Sequence, residues 1–146
     1  MTVIAYRDGV LASDSRITSG KDFLEGDSCT KIYRLSDGSV VGLAGDNHNG
    51  LLLLEALREA STGDIRTLPK GPFKKAEALL VSPRRKVFMY SGGWYDDKHM
   101  QGYYAIGSGS IVALGAMDAG ATAVEAVKIG IKRSVFCGGR VQKLEI

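Results

Sequence analysis

The sequence has 146 residues, 45% of them apolar and 24% charged, a balance that excludes a disordered chain and fits one globular domain spanning 1–146. Two cysteines, Cys29 and Cys137, are too few for a disulfide scaffold, and neither sits in a CxxC metal or redox pattern. No apolar run approaches the roughly 18 residues that a membrane span needs, and the opening residues lack the charged leader and apolar core of a signal peptide, so a cytoplasmic protein with no membrane partner is expected.

The net charge of +3 is unevenly spread, with six Lys/Arg against nine Asp/Glu in residues 1–60 and thirteen against seven in 61–146. The basic groups are not interleaved with aromatics as a stacking platform, so they read as solvated surface and no nucleic-acid partner is expected.

Taken in chain order, Thr2–Arg7 is a β-rich run that enters the hairpin signal Asp8-Gly9, and Val10–Asp14 returns from it. Lys31–Leu35 predicts a strand, and Ser36-Asp37-Gly38 a turn. Val40–Ala44 is apolar at successive positions, as in a strand covered on both faces. Asp46 fits an N-cap for a helix over Asn49–Ala60 that would bury Leu51, Leu52, Leu53, Leu54 and Leu57. Residues 61–75 read as a loop. Ala76–Ser82 and Lys86–Ser91 form a hairpin around Pro83-Arg84-Arg85, closed by Gly92-Gly93. Tyr103–Ile106 is a strand and Ile111–Met117 a helix. Thr122 and Glu125 form a capping box ahead of an amphipathic helix, and Arg140–Ile146 alternates as a closing strand. This order predicts an α+β fold: a four-layer αββα sandwich of two antiparallel sheets with helices near 47–60, 109–118 and 121–134 outside them.

Most catalytic patterns fail. Gly107-Ser108-Gly109-Ser110 lacks the third glycine of a dinucleotide fingerprint, with Val112 in its place, and there is no Walker A or G-x-S-x-G sequence. His48 and His99 stand alone, and Asp96-Asp97 beside His99 reads as a polar loop rather than a metal site. Thr2 remains. A small side chain after Met1 permits removal of the methionine, which would expose a threonine with a hydroxyl and a free amine. That pair is a self-contained nucleophile and base, because an α-amino group titrates near 7.7–8.0 and can accept the hydroxyl proton close to neutrality.

The run Thr2–Arg16 resembles the opening of a proteasome β-subunit or HslV-type peptidase. The likeness continues at Lys31–Leu35, Gly42–Asp46, Ala105–Ser110 and Cys137-Gly138-Gly139. It is nearest to a compact, bacterial or phage-like member of these N-terminal nucleophile hydrolases. The resemblance implies Thr2 as nucleophile, with Asp14 and Lys31 as a buried ion pair beside it. It also implies Gly45 N–H as oxyanion donor, Ser108 as partner of the amine and Leu43 at the floor of an apolar specificity pocket. It implies hydrolysis of peptide or unfolded-protein substrates, no metal or organic cofactor and a homo-oligomeric ring, and it leaves an ATPase unfoldase open as a further partner. The helix at 47–60 is expected at a subunit contact, because its run of four leucines is wider than one buried face requires. The chain departs from the family pattern at Ser134, where an aspartate is usual, and at Cys137, where a serine is usual. The second reading is therefore a catalytically silent ring subunit with a structural or assembly role.

Overall fold

The computed structural model describes residues 2–18, 24–96 and 102–146. Asp97 and His99 lie outside them, whereas His48 is exposed.

Strands β1 (Ile4–Arg7) and β2 (Val10–Ser13) form the expected hairpin, with Asp8 and Gly9 at φ +50° and +80°, the left-handed pair such a turn demands. With β10 (Tyr103–Ile106) and β11 (Gln142–Glu145) they build a sheet in the order β10-β1-β2-β11. The second sheet runs β5 (Ile32–Arg34), β6 (Val40–Gly45), β7 (Ala76–Val81), β8 (Val87–Ser91) and β9 (Trp94–Asp96). All pairings in both sheets are antiparallel. A two-stranded ribbon, β3 (Ile17–Thr18) with β4 (Leu24–Gly26), lies outside them.

The sheets pack face to face through Ile4, Tyr6 and Leu11 of one and Ile32, Val40 and Leu79 of the other. Side chains alternate along a strand, so neighbouring residues serve different layers. Val40 faces the other sheet, whereas Val41 joins Leu80 and Phe88 under helix α1 (Asn47–Arg58). On the first sheet Val3, Ala5 and Ala12 meet helices α2 (Ser110–Asp118) and α3 (Ala123–Arg133) through Ala113, Met117 and Val127. The layer order is therefore αββα, as the sequence predicts.

The caps are as expected. Asp46 accepts the Asn49 N–H at 2.8 Å, and the Thr122–Glu125 box is formed in both directions. Three expectations need correction. Helix α1 buries Leu53, Leu54 and Leu57, while Leu51 and Leu52 are 46% and 44% exposed. A four-leucine run covers more than the stripe one sheet can bury, so two of its residues face outward. The 61–75 loop contains a 3₁₀ turn, Ile65–Thr67, capped by Asp64. Gly92-Gly93 does not end the sheet but turns β8 into β9, whose Trp94 indole N–H donates to Pro69 O at 2.8 Å.

Candidate active site

The site is built where β1 and β2 leave the first sheet beside the start of β5. Thr2 lies one residue ahead of Val3, whose carbonyl accepts the Asp14 N–H at 3.2 Å. This pairing extends the hairpin past its last ladder position and brings the Asp14 carboxylate under Thr2. Asp14 is fully buried, and both its oxygens are partnered: Oδ1 accepts Val3 N–H at 3.1 Å and Lys31 Nζ at 2.8 Å, and Oδ2 accepts Gly138 N–H at 3.0 Å. A carboxylate at zero exposure is tolerable only with such partners.

Lys31 enters from the second sheet, just ahead of β5. Its Nζ stands 2.8 Å from Asp14 Oδ1 and 3.1 Å from Thr2 Oγ1, with the side chain 6% exposed. The ammonium thus bridges the two sheets and holds its charge against the threonine hydroxyl. In a water-poor site that charge favours an alkoxide forming on Oγ1.

The loop after β10 wraps the other side of Thr2. Gly109 N–H donates to Thr2 O at 3.0 Å, and Thr2 N–H donates to Ser108 Oγ at 3.3 Å. Gly45 and Leu43 close the ring of sequence-predicted residues. They share with Thr2 and Lys31 an open cleft of about 380 Å³, whose lining also includes Tyr33 and Leu51. Leu43 N–H donates to Lys31 O on the β5 side, and Asp46 N–H donates to Lys75 O on the β7 side. By the alternation of an antiparallel ladder, Gly45 N–H faces the β5 side, one repeat beyond the place where the chain at Cys29 has turned away to Ser15. Gly45 itself lines the cleft. The residue must be glycine, because its φ is +80° and a Cβ would lie 2.1 Å from Lys75 O. Of the six predicted residues, Thr2, Lys31, Leu43 and Gly45 line the cleft, while Asp14 is buried behind Lys31 and Ser108 contacts the Thr2 N–H.

The two departures are also resolved. Cys137 is 1% exposed and packs with Val3 and Ala126 under α3, where burial pushes its thiol above the usual range, helped by the nearby Asp14 charge. Ser134 caps α3 and turns its hydroxyl to the Phe136 N–H at 3.3 Å. Sequence reasoning missed the backbone donors of Asp14, because Val3 and Gly138 act through N–H groups that carry no residue signature. It also missed Arg16 and Asp27, whose surroundings appear only once three distant segments meet. Among the described residues no cluster of His, Cys, Asp and Glu could hold a metal, and no helix is long and apolar enough to cross a membrane.

Residues 2–62 match the family model described as Proteasome subunit. Among solved structures, a eukaryotic HslV from Trypanosoma brucei aligns with a TM-score of 0.71 at 20% identity, covering 99% of each chain. BPH of Thiobacillus denitrificans, in complex with epoxomicin, aligns with a TM-score of 0.75 at 21% identity, covering 99% of this chain and 97% of that one. The family match covers the segment that carries Thr2, Asp14, Lys31 and Gly45, and the fold is shared with both solved structures from end to end.

Proposed function

We propose that the protein is a threonine-type peptidase or amidase of the N-terminal nucleophile hydrolase class, with Thr2 as nucleophile once Met1 is removed. The observation that carries this reading is the position of Lys31 Nζ, 3.1 Å from Thr2 Oγ1 and anchored by a carboxylate with no exposure. A cation so deeply buried is costly unless paired, and here the pair is spent beside a hydroxyl.

Removal of Met1 converts the Thr2 amide into an amine. The amine takes the proton from Oγ1 as that oxygen attacks the substrate carbonyl carbon, and Lys31 stabilises the charge developing on Oγ1. Gly45 N–H receives the carbonyl oxygen as it becomes an oxyanion. The protonated amine then donates to the leaving amino group, and the acyl chain remains as an ester on Thr2. Water, deprotonated by the same amine, cleaves that ester and restores the site. Ser108 Oγ holds the amine in line, from the position where it now accepts the Thr2 N–H. Leu43, Tyr33 and Leu51 favour an apolar side chain before the cleaved bond. While Met1 remains, the base is missing and the site is off.

The substrate class is a peptide or an unfolded protein, and the assembly is a homo-oligomeric ring, with the outward Leu51 and Leu52 of α1 available for a neighbouring subunit. Mass spectrometry and a peptidase assay test the reading together. Protein lacking Met1 should cleave a fluorogenic peptide with an apolar residue before the scissile bond, and Thr2→Ala should not. The silent-subunit reading draws on Cys137, packed under α3, and on Ser134, whose hydroxyl accepts the Phe136 N–H. It prevails if protein without Met1 assembles but is inert.

A further inference from the structure

Three segments of the chain converge behind Asp14: residues 14–16 after β2, residues 27–29 after β4, and the 134–139 turn after α3. Arg16 joins them. Its Nε and one terminal nitrogen donate to the two oxygens of Asp27 at 2.7 and 3.1 Å, and the other terminal nitrogen donates to Val135 O at 3.1 Å. The forked contact holds the Asp27 carboxyl below its usual range and raises the guanidinium further.

Beneath the guanidinium lies Gly138, so close that a Cβ there would be 2.4 Å from Arg16 Cζ. Gly138 is the residue whose N–H donates to Asp14 Oδ2, while its carbonyl accepts the Ser15 N–H at 3.0 Å. Asp27 lies four residues ahead of Lys31, and Cys29 N–H is tied to Ser15 O at 2.9 Å. One fork therefore spans two of the three segments that supply partners to Asp14, those of Lys31 and Gly138. An exposed ion pair contributes little to stability by itself, and the pair is partly exposed, with side chains at 26% and 41%. Its geometry suits alignment better than stabilisation.

We propose that Arg16, clamped on Asp27 and Val135 O, is a positioning residue for the Thr2 site. It holds Gly138 N–H on Asp14 and thereby fixes the Asp14–Lys31 pair against Thr2 Oγ1. The catalytic consequence rests on the peptidase reading above, whereas the placement of Gly138 does not. Neither Arg16 nor Asp27 need touch the reacting atoms.

The test uses full-length protein lacking Met1, with Arg16→Met, which keeps the stem and removes the fork, and Asp27→Asn, which keeps the volume and weakens the pair. Two quantities are read: the amide resonance of Gly138 by NMR, and kcat and KM for a fluorogenic peptide. In Arg16→Met the Gly138 amide should shift and lose protection from exchange. The kcat should fall about tenfold or more at nearly unchanged KM, as expected when reacting groups are misplaced by about an ångström. Asp27→Asn should move both readouts in the same direction by less, and Arg16→Lys should restore part of the rate. An unchanged Gly138 amide overturns the proposal whatever the activity. A raised KM with kcat and the amide unchanged also overturns it, because Arg16 borders the cleft and would then be a substrate contact. If Arg16→Met fails to fold, Asp27→Asn decides by the same criteria. If wild-type protein is inert, the peptidase reading falls and the Gly138 amide alone decides the clamp.

Discussion

Gly107 runs so close to Thr2 that a Cβ on it would stand 2.2 Å from the Thr2 carbonyl oxygen, and its φ is +90°. The close approach lets the following residues reach back, Ser108 to Thr2 N and Gly109 to Thr2 O. Gly107→Ala should therefore lose about 1–3 kcal/mol from backbone conformation alone, with the steric clash added. Gly93→Ala, where a Cβ meets nothing within 4 Å, is the control. Urea denaturation of both checks this, and a Gly107→Ala variant as stable as Gly93→Ala would contradict the packing described.

Lys31→Ala and Thr2→Ala should both abolish hydrolysis but differ in stability. Removing Lys31 leaves Asp14 buried without its cation, which costs about 3–5 kcal/mol when a buried pair is broken. Removing the Thr2 hydroxyl takes away one acceptor and leaves the ion pair in place, so the fold should change by no more than about 1 kcal/mol. Thr2→Ser keeps the hydroxyl and should keep part of the rate. Melting curves and peptidase rates measured side by side separate the two effects.

The Ser13 hydroxyl is fully buried and, among the described residues, has no hydrogen-bond partner. It follows Leu11 on the same face of β2, so it is directed between the sheets, where desolvating a hydroxyl is unfavourable. Ser13→Ala should thus be neutral or up to about 1 kcal/mol more stable than wild type. A clear loss of stability would show that the hydroxyl has a partner.

Both thiols are pushed up by burial, but Cys29 is half-buried on the cleft wall whereas Cys137 is 1% exposed. Native protein treated with iodoacetamide at pH 8 should be modified slowly at Cys29, faster as the pH rises towards the thiol's raised value, and not at Cys137 until it unfolds. Peptide mapping by mass spectrometry reads the two sites separately. Modification of Cys137 in the folded protein would contradict its place under α3.

The elements most legible in the sequence were those with a local physical signature. The Asp8-Gly9 turn, the Asp46 cap and the Thr122–Glu125 box each depend on a few adjacent residues, and each is present in the structure. Val40–Ala44 was readable as a doubly covered strand because its apolar residues do not alternate. The leucines of α1 misled, since composition cannot tell which of four consecutive leucines meets the sheet. Ribbon β3–β4 and strand β9 are two or three residues long and are held by pairing rather than by pattern. The six candidate site residues were legible through resemblance: four of them line one cleft, and Asp14 and Ser108 support Lys31 and Thr2 from outside it. The donors that complete Asp14 were not, because backbone N–H groups belong to every residue and only the fold selects Val3 and Gly138.

On the peptidase reading, Thr2 freed of Met1 is a nucleophile with its own amine as base. Incubation with a peptide epoxyketone such as epoxomicin, followed by intact-mass and peptide mass spectrometry, tests it most directly, because that warhead reacts with a hydroxyl and an amine on one residue. One inhibitor adduct per chain is expected, mapped to Thr2, and none on Thr2→Ala or on protein that keeps Met1. An inhibitor-free wild-type chain lacking Met1, or an adduct on any other residue, would contradict it.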